Sequence, residues 1–196
     1  MNVKTNPLRR AGVGLATLGV LLGTVALAGP AFASNVADLG GDTVIYRGPR
    51  IQVVVSFPYA RYHPYGKWLI LDTEMGASGG VTGIPRGAFA VRTPGGNVVP
   101  LATEAQFVKG YPELASPLIT ANFERERLAY LLPERHRKLD LFQLHGVGWV
   151  WQTVWLDPFH NSYGRLFFEL PNGVRQGRYE LLIHLPKKEV VIPFTV

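Results

Sequence analysis

Residues 177–196 read GRYELLIHLPKKEVVIPFTV. Two apolar runs of strand length, 178–185 and 190–196, stand on either side of Pro186-Lys187-Lys188, and a link this short joins antiparallel neighbours. Upstream, Asn172-Gly173 and Gly177 connect the run 165–170 to the first of them. The same grammar continues toward the N-terminus. Residues 88–93 and 97–101 flank Pro94-Gly95-Gly96, a hairpin loop in which glycine supplies positive φ without steric cost.

Further β-rich runs lie at 43–47 and 51–57, separated by Gly48-Pro49, and at 67–75 and 148–156. Within 67–75, Trp68, Ile70, Asp72 and Glu74 share one face, and its change from apolar to polar reads as a strand leaving the core. The middle breaks the pattern. Residues 119–132 set Phe123, Leu128, Leu131 and Leu132 among Glu124, Arg125, Glu126 and Arg127, which predicts one short amphipathic helix ended by Pro133, with a strand as the competing reading. Short strands bounded by Gly and Pro, with no internal repeat or linker, place the chain in the all-β class, mainly antiparallel, with 43–196 as a single domain.

One segment refines this. Gly177-Arg178-Tyr179-Glu180-Leu181 resembles the Gly-x-Tyr-x-Leu segment of immunoglobulin-like domains, where the tyrosine pins a corner. The resemblance covers five residues. It implies an immunoglobulin-like β-sandwich and says nothing of function.

The first 33 residues are of another kind. Lys4, Arg9 and Arg10 precede an apolar body, 11–28, made of Ala, Gly, Val, Leu and Thr, which breaks at Gly29-Pro30 and ends in Ala31-Phe32-Ala33 before Ser34. A basic head, an apolar body and a small-x-small site predict a secretory signal peptide cleaved after Ala33. Pro30 and the missing basic stop-transfer cluster argue against an uncleaved anchor, although the body is near the ~20 residues of a membrane span. The flanks of Arg9-Arg10 do not complete a twin-arginine pattern, so the general secretory route is expected. The exported product is then secreted or periplasmic, begins at Ser34 with a flexible arm over 34–42, and is not membrane-bound after cleavage.

The leader holds three of the 20 basic residues and none of the 14 acids, so the remainder carries a formal +3 rather than the whole chain's +6. So small a scattered charge gives no footprint for nucleic acid. Arg135-His136-Arg137-Lys138, the one local cluster, reads as a solvated loop. Cysteine is absent, which removes disulfides, lipidation, thiol catalysis, cysteine–zinc sites and iron–sulfur ligation. Stability must come from a packed core, which a chain of ~160 residues can supply by burying about 70% of its unfolded surface.

Local chemistry is sparse. His63, His136, His145, His160 and His184 show no metal-ligand spacing, so no metal or other cofactor is expected, and His184 reads as a hydrogen-bonded strand residue. No Gly-x-Ser-x-Gly elbow is present, and Ser78 within Gly76-Ala77-Ser78-Gly79-Gly80 reads as a flexible turn. Gly95-Gly96 lacks the lysine and helix of a phosphate cradle. Asp72 with Glu74, or Asp157 with Glu169, are the carboxylate pairs a glycoside hydrolase would need, while Asp157-Pro158 also suits a turn.

Aromatic residues are the distinctive feature. Trp149, Trp151 and Trp155 would share a face of a strand over 148–156, with Trp149 and Trp151 read as core and Trp155 as exposed at the strand end. Tyr59, Arg61, Tyr62, His63 and Tyr65 crowd a loop stiffened by Pro58 and Pro64, which lowers the ordering cost of presenting them to a partner. These five, with Trp155, are the candidate binding residues. The functional expectation is a non-enzymatic binding module of the envelope or extracellular space with an unidentified protein or polysaccharide partner. A carbohydrate-binding module and a hydrolase with converging carboxylates are the alternatives.

Overall fold

The computed structural model describes residues 35–125, 127–144 and 149–196. The leader with Ala31, Ala33 and Ser34, as well as His145 and Gly148, lies outside the described residues. Along the chain run β1 (Val36–Gly40), β2 (Thr43–Arg47), β3 (Ile51–Ser56), α1 (Pro58–Tyr62), β4 (Trp68–Ala77), β5 (Thr82–Pro85), β6 (Phe89–Arg92) and β7 (Val98–Pro100). There follow α2 (Glu104–Phe123), β8 (His136–Leu139), β9 (Thr153–Leu156), β10 (Asn161–Glu169), β11 (Arg178–Leu185) and β12 (Lys188–Thr195).

Strands dominate, as expected of the all-β class. They form a large sheet in the order β1-β2-β3-β4-β10-β8, a small sheet in the order β12-β11-β6-β7, and a ribbon of β5 and β9. Every pairing among the described strands is antiparallel except β8 with β10. The C-terminal hairpin pairs Arg178 with Thr195 through Leu185 with Lys188, and 94–96 turns β6 into β7, with Gly96 at φ +82°.

β4 shows how the layers are held. It lies between β3 and β10 and is buried almost throughout. Side chains alternate across a strand. Leu69, Leu71 and Met75 therefore join Phe89, Val91, Leu181, Ile183, Ile192 and Phe194 of the small sheet in the main core. Trp68 and Ile70 point the other way and join Phe107 and Leu114 of α2 and Phe167 of β10. The large sheet is thus covered on both faces.

Asp72 and Glu74 continue the Trp68–Ile70 face and are buried, so the switch from apolar to polar does not mark a strand leaving the core. It marks a change of cover. Beyond α2, Leu128 and Leu131 pack on Ile45 and Val54, and polar groups fix the chain between them and the sheet. Glu74 Oε2 accepts the Tyr130 N–H at 2.9 Å, while Asn161 Nδ2 donates to the carbonyls of Leu131 at 3.0 Å and Pro133 at 2.7 Å. These bonds explain why the helix expected over 119–132 ends at Phe123: Leu128 and Leu131 are buried by an irregular backbone whose N–H and C=O groups are taken by side chains, while Leu132 is exposed.

The central helix lies earlier and is longer. Thr103 and Gln106 make a reciprocal capping box, with Gln106 N–H to Thr103 Oγ1 at 3.1 Å and Thr103 N–H to Gln106 Oε1 at 2.8 Å. Phe107, Gly110, Leu114 and Ala121 form its buried stripe. Pro112 and Pro117 lie inside it, each removing a helix hydrogen bond, a cost of about 3 kcal/mol in isolation. Packing of the stripe offsets that. At Gly110 a Cβ would stand 2.3 Å from Cζ2 of Trp68, so the absent side chain is what lets the helix seat on the sheet.

Three further segments depart from expectation. Residues 36–40, read as part of a flexible arm, form β1 against β2, with Val36 buried. Arg135-His136-Arg137-Lys138, read as a solvated loop, runs into the edge strand β8, whose backbone pairs with β10; Lys138 stays exposed, while Arg137 is half-buried against Asp157 and His136 reaches Glu74. Of the strand read over 148–156, only Thr153–Leu156 is a strand among the described residues. At the entry to β11 the Tyr179 hydroxyl donates to Arg175 O at 2.9 Å and accepts the Arg175 N–H at 2.8 Å.

Candidate functional site

The aromatic segment after β3 is a helical turn, not the loop read from its prolines. Pro58 takes the first helical position, where its missing N–H costs nothing. Pro58 and Ala60 are buried and seat α1 on the body, which turns the intervening and following side chains outward. Tyr59 is half-buried and stacks on His63, with centroids 4.9 Å apart. Arg61 stands 3.9 Å from Asp42 and donates to Thr195 O at 3.5 Å. Tyr62 is 66% exposed and Tyr65 81% exposed.

The exposed rings stand on a braced backbone. Tyr65 has φ +78°, a left-handed conformation that costs a non-glycine residue of order 1 kcal/mol. Its N–H donates to Val174 O at 2.7 Å, and the Val174 N–H returns to Gly66 O at 2.7 Å. At the other end of the segment, His63 Nε2 donates to Glu124 Oε1 at 2.6 Å. Burial, and then the charge of Glu124, raise the Tyr59 hydroxyl above its ordinary pKa, so it remains a neutral phenol.

The His63–Glu124 bond adds a residue that sequence reading placed elsewhere. Phe123, assigned to the buried side of the expected helix, precedes Glu124 and is 87% exposed. Tyr62 and Phe123 are thus the last residues of two helices whose ends this bond joins. Ile119, one turn before Phe123, is also exposed. Nothing local in the sequence marks this, since His63 and Glu124 are 61 residues apart in the chain. A cleft of about 340 Å³ lies beside Arg61, with Asp38 and Asp42 in its wall.

Trp155 does not join this group. It lies on β9, directly opposite Gly83 of β5, and a Cβ at Gly83 would meet its ring at 2.8 Å. The indole therefore lies across the glycine, 55% exposed as expected. Trp149, read as core, is 89% exposed, because its segment is not a strand with an inward face. Trp151 is half-buried against the main core.

No family model matches the chain, and no curated protein or solved structure does. Function has to be argued from the side chains.

The carboxylate pairs are engaged. Asp72 Oδ1 accepts Arg165 Nε at 3.0 Å and lies 3.3 Å from Arg125 Nε, and Arg125 rests 4.0 Å above the Tyr163 ring. Burial raises the Asp72 pKa, against the lowering pull of Arg165 and Arg125. Glu74 Oε1 accepts from His136 Nε2 at 3.0 Å and from Asn161 Nδ2 at 3.5 Å. Two residues along one strand face lie about 7 Å apart, near the spacing of an inverting glycosidase pair. Yet Asp72 and Glu74 are buried and covered by cations and hydrogen-bond donors. Their role here is to fasten the segment after α2 to the sheet.

Asp157 and Glu169 bracket β10 at opposite ends, about 27 Å apart by strand rise, beyond any shared bond cleavage. Asp157 Oδ1 accepts the N–H groups of Phe159 at 2.8 Å and His160 at 2.9 Å, the turn role expected of it, and Lys67 Nζ holds Glu169 at 2.7 Å. His184 meets Glu189 at 2.9 Å. Among the described residues no group of three or more His, Asp or Glu is arranged to hold a metal ion, and no helix is long and apolar enough to cross a membrane.

Proposed function

We propose that the chain is an exported, non-enzymatic interaction module of the cell envelope or extracellular space, cleaved after Ala33, which docks a protein partner on the surface built around α1. The observation that carries this reading is the pair of exposed rings, Tyr62 and Tyr65, held on a backbone fixed by the Tyr65–Val174 and His63–Glu124 bonds. Rigid aromatic side chains give large contact area at low entropic cost, and such residues are common binding anchors. Phe123 extends the surface from the second helix. The immunoglobulin-like sandwich is part of the proposal. It is supported by a core shared between the large and small sheets and by the Tyr179–Arg175 bonds at the entry to β11.

The test is site-specific photo-crosslinking from position 62 in the producing cell, followed by the Tyr62→Ala/Tyr65→Ala variant. A defined crosslinked partner whose yield and affinity fall at least about tenfold in the variant is expected for aromatic anchors. Unchanged capture by a folded variant refutes the site. Binding to a glycan panel with a tryptophan fluorescence change would replace the protein partner by a polysaccharide read through Trp155. N-terminal sequencing of the exported product should begin at Ser34.

A further inference from the structure

A second surface stands where the large and small sheets meet. The β2–β3 turn, carrying Pro49 and Arg50, and the β11–β12 turn, carrying Lys187 and Lys188, line one cleft of about 320 Å³. Its floor is apolar and consists of Tyr46, Ile51, Leu185 and Val190, three of which belong to the buried core itself. The cleft is therefore a mouth opening onto the space between the sheets, with cations only at its lip.

Those cations are unneutralised. Arg50, Lys187 and Lys188 are exposed, and among the described residues their side chains make no ion pair or hydrogen bond. The nearest acid in the chain, Glu189, is held by His184 Nδ1 at 2.9 Å. Other cations, among them Arg61, Arg92, Arg125, Arg137, Arg165 and Lys67, each face a carboxylate. Beside this mouth, sharing Pro49 and Arg50, a more polar cleft of about 410 Å³ is lined by Gly79 and Gly80, whose missing side chains leave room next to the Arg50 head.

We infer that this mouth binds a single-chain anionic amphiphile, its apolar tail on Tyr46, Ile51, Leu185 and Val190 and its acidic head between Arg50, Lys187 and Lys188. An apolar floor gains from covering by hydrocarbon, and charge-assisted bonds from three free cations favour a carboxylate or phosphate over a neutral head. The site is separate from the α1 surface and stands or falls independently of it.

The experiment is calorimetric titration of the purified protein with dodecyl phosphate and with dodecanoate below their micellar concentrations, in parallel with dodecyl maltoside, inorganic phosphate and phosphatidylglycerol vesicles. Saturable one-to-one binding of both monomeric anionic amphiphiles is expected. The neutral detergent and the Arg50→Glu/Lys187→Glu/Lys188→Glu variant should bind roughly tenfold or more weakly, as loss of charge-assisted contacts predicts. Those three side chains lie outside the core, so the variant should fold, as circular dichroism would verify. Leu185→Trp, which fills the cleft, should abolish binding while leaving the charges in place. Absence of saturable binding by dodecyl phosphate, equal affinity in the charge-reversed variant, inorganic phosphate binding as well as the amphiphile, or association with vesicles alone would each overturn the assignment.

Discussion

His136 Nε2 lies 3.0 Å from Oε1 of Glu74, a carboxylate with no solvent exposure. The two residues come from an edge strand and a central strand, and with Tyr130 and Asn161 they tie the segment after α2 across the outer face of the large sheet.

Removing the acceptor should free that segment. Glu74→Ala removes the buried acceptor of the Tyr130 N–H and of the His136 ring, and each hydrogen bond to such a charged group contributes about 1.5–3 kcal/mol. Urea denaturation gives the total loss. Hydrogen exchange should locate faster opening at residues 128–139, and uniform exchange across the molecule would contradict the fastening role.

Two positions along the same strand face the opposite outcome is expected. Burial outweighs the pull of Arg165 and Arg125 and raises the Asp72 pKa in the folded protein. Folding therefore favours the protonated form: the associated stability is complete below the ordinary carboxylate pKa and falls as pH rises through the raised folded value. Asp72→Asn, which keeps an oxygen acceptor for Arg165, should be as stable as the parent at neutral pH and should lose this decline above about pH 4. A large loss at pH 7 would show that Arg165 and Arg125 need the charge.

Asp157 titrates in the other sense. The Phe159 N–H first, then His160 and Arg137, hold its carboxyl below the usual range. Its contribution is full above about pH 4 and is lost as pH falls through the lower folded value. The stability gap between parent and Asp157→Asn should accordingly shrink in acid, read as converging urea midpoints between neutral pH and pH 2. A gap that does not change with pH would rule this out.

Gly110→Ala tests the seat of α2. In a solvated helix this exchange stabilises by up to about 1 kcal/mol, whereas here the added carbon would stand 2.3 Å from the Trp68 ring. Overpacking should reverse the sign, with a loss of about 1–3 kcal/mol and a change in the near-ultraviolet signal of Trp68. A melting temperature above the parent's would mean the helix shifts freely.

How far the fold can be read in advance depends on where each element's partners lie. Thr43–Arg47 and Arg178–Leu185 are legible to the residue because their composition and bordering turns are local. β1 escapes notice because an edge strand needs to bury only one side, and Val36 alone does so fully. α2 escapes because its stabilising contacts with Trp68 and Phe167 are remote, while Pro112 and Pro117 are visible at once. The acids of β4 mislead for the same reason, since Arg125, His136 and Arg165 lie 53 to 93 residues further on. Of the candidate surface, the tyrosines announce themselves beside Pro58 and Pro64, whereas the joining of the α1 and α2 ends by His63 and Glu124 is remote in sequence.

The four tryptophans, finally, sit at graded depths: Trp68 sealed beneath α2, Trp151 half-covered, Trp155 lying across Gly83, and Trp149 almost fully in water. The protein thereby carries an optical gauge of its own layers. A soluble quencher should extinguish the red-shifted emission of Trp149 and Trp155 and spare the blue component of Trp68, so lifting of α2 and events at the outer rings can be followed separately with no added label.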